Sequence, residues 1–211
     1  MTITIGERIP QATLNALKDG VQAVDTNELF GGKKVVLFAV PGAFTPTCSA
    51  KHLPGFVEHL DAFKARGIEV ACMAVNDAFV MGAWAKSQNV PEGLQMLADG
   101  NGQFAKALGL ELDATAFGMG VRSKRFALYA EDGVVKQLHV EAPGEFKVSS
   151  AEYVLEHLPA GRSTVRRGPP RGPPHSRRPD RRRRRRRSTG RHALPGLVLV
   201  TFGLQPERML Q

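Results

Sequence analysis

The chain has 211 residues and a formal net charge of +9, a length that allows one packed domain or a domain with an appendage. The charge is unevenly distributed, because residues 1–158 hold 14 Lys/Arg and 18 Asp/Glu whereas residues 159–211 hold 15 and 2. Two cysteines are too few for a disulfide scaffold, and no apolar run approaches the ~20 residues that cross a bilayer. No leader pattern opens the sequence, so we expect a cytoplasmic protein with reduced thiols and no membrane partner.

Strands and helices are predicted to alternate over residues 1–158, which indicates an α/β fold with a mixed central sheet flanked by helices. The predicted strands cover residues 35–40, 68–75, 94–98, 126–130 and 134–140. A helix is predicted to start at Pro46 and to end at Gly67, with its apolar face over residues 53–63. Further helices are predicted from a cap at Asn76 or Asp77 through Trp84, around Phe104, and from Ser149 or Ser150 to Leu158. Pro54 lies inside the first of these helices, and we expect it to kink the helix or to mark a second start.

Residues 159–211 differ in character from the rest of the chain. Pro and Gly pairs surround seven consecutive arginines at 181–187, and no periodic apolar face is present, so a disordered basic extension is predicted. Such a run could bind nucleic acid or another polyanion, or be a solvated tail without a role. Its composition is also what GC-rich DNA yields when read in a wrong frame. We favour a frameshift or read-through product, since the globular pattern ends near Leu158.

The stretch that carries chemistry is Pro41-Gly-Ala-Phe-Thr-Pro-Thr-Cys48, between a predicted strand and a predicted helix. Cys48 falls in the first turn of that helix, where unpaired amides favour a thiolate anion. The hydroxyl of Thr45 can reach this thiolate, and Pro41 shields the sulfur from bulk water. His52, one turn later, tunes the thiol, hydrogen-bonds the loop or is simply structural.

The pattern Pro41-x-x-x-Thr45-x-x-Cys48 resembles the active site of peroxiredoxins, and its context resembles their fifth (type II) subfamily. That context comprises the stretches His52-Leu-Pro-Gly-Phe56, Val75-Asn-Asp-Ala-Phe-Val80 and Ser123-Lys-Arg-Phe-Ala127. The resemblance covers about residues 1–158 and implies a thioredoxin fold.

The resemblance also implies a role for each residue of the site. Cys48 would be the nucleophile that attacks hydrogen peroxide or an alkyl hydroperoxide and becomes a sulfenic acid. Thr45 would orient the substrate, and the backbone amides of Phe44 and Cys48 would contact it. Arg125 would hold the thiolate and polarise the peroxide, with Arg122 as the alternative. No cofactor and no metal are expected.

The sequence departs from some family members at the stretch Val148-Ser149-Ser150, where they carry a resolving cysteine. The second thiol, Cys72, lies in an apolar strand and is predicted to be a buried core residue. A one-cysteine enzyme follows, reduced by glutathione with glutaredoxin or by thioredoxin. Family resemblance further suggests a homodimer that pairs through loops near the site. The absence of a Cys-x-x-Cys motif disfavours a general disulfide oxidoreductase.

Overall fold

The computed structural model describes residues 1–159, so the predictions for the basic extension from residue 160 onward lie outside the described residues. The strands are β1 (Thr13–Lys18), β2 (Gly20–Asp25), β3 (Lys34–Val40), β4 (Ile68–Ala74), β5 (Leu94–Ala98), β6 (Glu111–Asp113), β7 (Val121–Ser123), β8 (Phe126–Glu131) and β9 (Val134–Val140). The helices are α1 (Thr26–Phe30), a π-helical turn (Cys48–His52), α2 (Leu53–Glu58), α3 (Leu60–Ala65), α4 (Ala78–Ser87), α5 (Gln103–Ala107), a 3-10 turn (Thr115–Phe117) and α6 (Ala151–His157).

A seven-stranded sheet organises the described residues, in the order β2-β1-β5-β4-β3-β8-β9. Its centre, β3, β4 and β5, is parallel, while β8 pairs with β3 antiparallel and β1 pairs with β5 antiparallel. The mixed sheet with flanking helices confirms the predicted thioredoxin-type α/β fold. A hairpin of β1 and β2 was not predicted, because β2 is largely exposed and lacks a continuous apolar run.

Two apolar clusters cover the two faces of the sheet, as the alternation of side chains along a strand requires. One cluster contains Phe38, Cys48, Cys72 and Trp84, and the other contains the neighbouring strand residues such as Leu37. Every residue of β3 from Val35 to Val40 is buried, as expected of a strand covered on both faces. None of the helices in residues 1–159 is long and apolar enough to cross a membrane.

The helix predicted from Pro46 to Gly67 is divided in the structure. The amide of Leu53 donates to the carbonyl of Cys48, five residues back, and α2 starts at this wide turn. Pro54 follows immediately and has no N–H to continue the ladder, so the second start predicted there is present. A further break at His59 separates α2 from α3 and was not predicted.

Helix caps lie where the sequence placed them. The Asp77 carboxylate accepts from the amide of Val80 at the start of α4, and the Ser150 hydroxyl accepts from the amide of Tyr153 at the start of α6. Of the two candidates at each start, the second is therefore the cap. The Asn76 side chain instead accepts from the amide of Ala43, in the loop that follows β3.

Candidate active site

A tight loop carries the chain from the end of β3 into the helix that bears Cys48. The amide of Ala43 donates to Asn76 Oδ1 over 2.9 Å, which ties this loop to the segment after β4. Phe44 has a φ of 61°, a left-handed conformation that few bulky residues adopt. A Cβ at Gly42 would lie 3.2 Å from Thr45 Cγ2, so the packing of the turn favours glycine there.

Cys48 occupies the first helical turn, as predicted. The helical conformation begins at Pro46, and the first intrahelical hydrogen bond runs from the Ser49 amide to the Thr45 carbonyl over 3.0 Å. The Cys48 amide lies one residue before the first of these donors, so it has no acceptor within the helix. The side chain of Cys48 is fully buried in this conformation. Its sulfur is thus held beside the positive end of the helix dipole and away from bulk water.

Arg125 contacts the sulfur of Cys48. Its Nη2 lies 3.4 Å from Cys48 Sγ, although the two residues are 77 positions apart in sequence. Arg125 lies between β7 and β8, immediately before the strand that pairs with β3. Its Cζ also lies 5.7 Å from the centroid of the Phe146 ring, a cation–π distance. A guanidinium in this position places a permanent positive charge and a hydrogen-bond donor beside the sulfur.

His52 binds the guanidinium of Arg125 through the nitrogen that does not contact the sulfur. Arg125 Nη1 lies 2.9 Å from His52 Nδ1, and His52 Nε2 lies 2.9 Å from the carbonyl oxygen of Ser149. Because a guanidinium only donates and a carbonyl only accepts, Nδ1 carries the lone pair and Nε2 carries the proton. Burial, together with the charge of the adjacent Arg125, lowers the pKa of His52 to about 3 against the opposing effect of the Ser149 carbonyl. His52 is therefore neutral at physiological pH.

The Ser149 carbonyl is fixed in turn by a buried carboxylate. Glu141 Oε1 accepts from the amides of Lys147 and Ser149 and from the Ser149 hydroxyl over 2.7 to 2.8 Å. Burial opposes ionisation of Glu141, but hydrogen bonds from Lys147, Ser149 and the amide of Val148 outweigh it and lower its pKa. The chain from Glu141 through Ser149 and His52 to Arg125 was missed in the sequence, since no local spacing links these four positions.

The structure places the other predicted residues around the same turn. Thr45 donates its hydroxyl to the Gly42 carbonyl over 2.9 Å, so the predicted hydrogen bond to the thiolate is not formed. The reason is local, because the turn brings that carbonyl within reach of the hydroxyl. Pro41 follows the last residue of β3 and is partly buried, whereas Phe44 points outward with 54% of its surface exposed.

Arg122 donates its hydrogen bonds to backbone carbonyls. Its Nε donates to the carbonyl of Met119 over 2.8 Å and its Nη1 donates to the carbonyl of Val75 over 3.1 Å. These bonds join the segment before β7 to the loop after β4. The geometry thus separates the two arginines that the sequence left as alternatives, since Arg125 and not Arg122 reaches the sulfur.

Cys72 lies on β4, at the centre of the sheet, and is fully buried. It belongs to the same apolar cluster as Cys48. Burial raises the pKa of the Cys72 thiol, and the nearby Cys48 raises it further. Both cysteines are unpaired in the structure. The prediction of a core residue is therefore confirmed for its position.

A cavity of about 280 Å³ lies beside this site, with Thr47 and Arg125 among its lining residues.

Within residues 1–159, no group of three or more His, Cys, Asp or Glu side chains is placed to hold a metal ion. The Asp99 carboxylate, in a cluster that superficially resembles a metal loop, instead accepts from the amides of Phe104 and Ala105.

Comparison with known proteins agrees with this geometry. Residues 4–155 match the family model described as Redoxin. The chain is 49% identical over 163 residues to Peroxiredoxin-2E, chloroplastic, of Arabidopsis thaliana, which covers 74% of this chain and 70% of that protein. It is 46% identical over 159 residues to Peroxiredoxin-2B of the same plant, covering 74% and 98%. The crystal structure of reduced Prx3 in complex with H2O2 from Vibrio vulnificus superposes with a TM-score of 0.70 at 53% identity, covering 74% and 98%.

Proposed function

Since this chain belongs to the peroxiredoxins of the Redoxin family and is a thiol-dependent peroxidase, we propose that Cys48 is its nucleophile and that an external thiol completes the cycle. The observation that carries the proposal is the 3.4 Å contact between Arg125 Nη2 and Cys48 Sγ. This contact places a permanent positive charge beside a fully buried sulfur, which is what a nucleophilic cysteine needs.

The first half-reaction follows from the positions of these groups. The Cys48 thiolate attacks the terminal oxygen of the hydroperoxide, an S–O bond forms, and the O–O bond breaks with its electron pair leaving on the second oxygen. That oxygen takes a proton and departs as water or an alcohol, and Cys48 becomes a sulfenic acid. Arg125 stabilises the negative charge as it moves from sulfur to the leaving oxygen.

Thr45 accepts, and does not donate, a hydrogen bond in this step. Its hydroxyl hydrogen is already committed to the Gly42 carbonyl, so its oxygen is left to accept a hydrogen bond from the hydroperoxide O–H. The amides of Phe44 and Cys48 are available to donate to the peroxide from the turn and from the first helical residues. Together these groups align the O–O bond with the sulfur.

The second half-reaction consumes two equivalents of thiol. The first thiol displaces water from the sulfenic acid and forms a mixed disulfide with Cys48, and the second releases Cys48 as a thiolate. Glutathione with glutaredoxin, or thioredoxin, supplies these thiols. Cys72 is a poor internal substitute, because it is fully buried on a central strand and its pKa is raised.

A paired assay tests both halves of the proposal. Cys48→Ser should abolish peroxide consumption, whereas Cys72→Ser should retain most of it with glutathione/glutaredoxin or with thioredoxin supplied in parallel. Loss of turnover in Cys72→Ser with Cys48 oxidation intact would identify Cys72 as the resolving thiol and end the one-cysteine proposal. Arg125→Met should slow oxidation of Cys48 by about 100-fold, the typical cost of one donor to the transition-state charge.

A homodimer is part of the proposal and is supported by an apolar rim, which consists of Phe44, Phe79, Phe117 and Val121. Their side chains are between 53% and 81% exposed. Hydrogen bonds from Ala43 to Asn76 and from Arg122 to Val75 tie their three segments together beside the site. An exposed apolar patch of this kind is typical of an interaction surface.

Sedimentation equilibrium tests the dimer. Phe79→Glu changes the first turn of α4, where a carboxylate is compatible with the helix, and should shift the protein to a monomer. Ile5→Glu, at an exposed apolar position beside the start of β9, is the matched control and should leave the mass unchanged. A wild-type protein that is monomeric throughout the concentration range would refute the dimer.

A cytoplasmic location is also part of the proposal, although one of the relatives is described as chloroplastic.

A further inference from the structure

The cavity beside Cys48 is larger than hydrogen peroxide requires. Its volume is about 280 Å³, whereas one water occupies about 30 Å³ of liquid. Thr47, which precedes Cys48, and Arg125, which contacts its sulfur, are both in its wall. Cys48 itself is not in the wall, so Arg125 is the residue that joins the cavity to the sulfur, and the space beyond Arg125 could hold the organic part of a substrate.

Much of the cavity wall is apolar. The apolar lining residues are Pro41, Leu112, Val140, Ala142 and Pro143. Walls of this kind bind a short hydrocarbon body by removing its surface from water. By themselves they disfavour a charged group, so the binding of a charged hydroperoxide must depend on the polar lining residues.

The two carboxylates in the wall are already neutralised or hydrogen-bonded. Glu141 Oε1 accepts from Lys147 and Ser149, as described above. Glu145 Oε1 pairs with Lys147 Nζ over 2.7 Å. Glu145 is therefore compensated by an ion pair, and Glu141 Oε1 is occupied by three protein donors and not by a molecule that enters the cavity.

Lys124 is different from these acidic residues. Its backbone is fixed, because its amide donates to the Leu110 carbonyl over 2.8 Å and its carbonyl accepts from the Ser123 hydroxyl. Lys124 lines the cavity, and its ammonium has no ion-pair or hydrogen-bond partner among residues 1–159. A partly buried, unpaired cation next to an apolar wall is suited to an organic anion.

We propose that the cavity accepts hydroperoxides whose organic part carries a carboxylate, and that Lys124 selects them. The inference rests on the peroxidase function proposed above. The thiolate forms its bond to the terminal oxygen, the O–O bond breaks, and the electron pair leaves with the organic oxygen. The substrate carboxylate takes no part in these bond changes and remains on Lys124, so its effect is on binding and orientation.

Two peroxy acids with the same reacting group provide the test. Monoperoxysuccinate carries a free carboxylate and peroxyacetate does not. The second-order rate constant for Cys48 oxidation is measured with each, and with hydrogen peroxide, on the reduced wild-type chain and on Lys124→Met, Lys124→Arg and Lys106→Met. Lys106 is exposed on α5 and serves as a control for the loss of one positive charge.

The ratio of the monoperoxysuccinate to the peroxyacetate rate constant should fall about three- to fivefold in Lys124→Met, the size expected for a partly exposed ion pair. It should be retained in Lys124→Arg and in Lys106→Met, and it should decrease with added salt in the wild type. An unchanged ratio in Lys124→Met, or an equal fall in Lys106→Met, would overturn the assignment. A wild-type chain inert toward hydrogen peroxide would instead refute the proposed function.

Discussion

Replacing His52 by phenylalanine tests whether the guanidinium must be held in place to work. The phenyl ring fits the aromatic surroundings of His52, where the rings of Phe38 and Phe146 lie with centroids 5.0 Å away. The change leaves Arg125 Nη1 and the Ser149 carbonyl without their partner. His52 does not contact the sulfur in the hydrogen-bond network, so its effect on the reaction must pass through Arg125.

The expected magnitude follows from the bonds removed. A hydrogen bond to a charged group contributes about 1.5–3 kcal/mol and a neutral one about 1 kcal/mol. If the charged bond is what orients Arg125 toward Cys48 Sγ, its loss slows sulfur oxidation about 10- to 100-fold, at about 1.4 kcal/mol for each factor of ten. The free energy of unfolding should decrease by about 2–4 kcal/mol as both partners remain buried.

The assay mixes reduced protein with hydrogen peroxide, quenches it at intervals, and measures the sulfenic acid fraction by mass spectrometry. His52→Gln is the matched variant, because its amide can accept from Arg125 and donate to the Ser149 carbonyl, and it should recover most of the rate. A His52→Phe rate within threefold of wild type, in a protein that is destabilised as expected, would refute the positioning role.

Three further predictions concern stability. Since the pKa of His52 is about 3 when folded and 6.5 otherwise, the unfolded chain binds the extra proton, so the free energy of unfolding should rise with pH between about 3 and 6.5. This component, up to about 1.4 kcal/mol per pH unit, should be absent from the urea unfolding of His52→Gln. Glu141→Ala leaves three donors of Lys147 and Ser149 without their acceptor and should cost about 2–3 kcal/mol and slow Cys48 oxidation, whereas Glu141→Gln should cost less. Asp77→Ala removes the cap of α4 and should cost about 1 kcal/mol in thermal unfolding with the oxidation rate unchanged.

Each of these has a result that contradicts it. A flat pH dependence of stability in wild type, or an equal slope in His52→Gln, would mean that another group titrates. Equal costs for the alanine and glutamine variants of Glu141 would show that the charge and shape of its carboxylate are immaterial. A slower oxidation of Cys48 in Asp77→Ala would show that the start of α4 is coupled to the site.

The central sheet was predictable because its strands are short apolar runs with clear ends. β3 stops at Pro41-Gly42, and the β8–β9 hairpin turns at Glu131-Asp132-Gly133, where Asp132 and Gly133 have positive φ values of 48° and 71°. The hairpin of β1 and β2 carries no such signal. The break at His59 also escaped the periodicity, because the apolar spacing continues through it from α2 to α3.

The residues of the site likewise fall into those that the sequence predicted and those that it did not. Cys48 and its helix start were predictable because they follow from local spacing. Arg125 was predicted from the family resemblance with Arg122 as the alternative, since the contact itself depends on how the chain before β8 packs against the helix. Glu141 and Ser149 could not be found, because their roles arise from a loop closing on itself and on His52, contacts that no local periodicity encodes.

Trp84 gives the protein an internal optical reporter. It is the chain's only tryptophan, it is fully buried, and its indole N–H donates to Ser49 Oγ over 3.0 Å. Ser49 follows Cys48 directly, so a change in the backbone around the sulfur must disturb the hydrogen bond of the indole. Fluorescence from an unlabelled sample should therefore distinguish the thiol, sulfenic and mixed-disulfide forms in real time, with Ser49→Ala as the variant in which the signal is uncoupled.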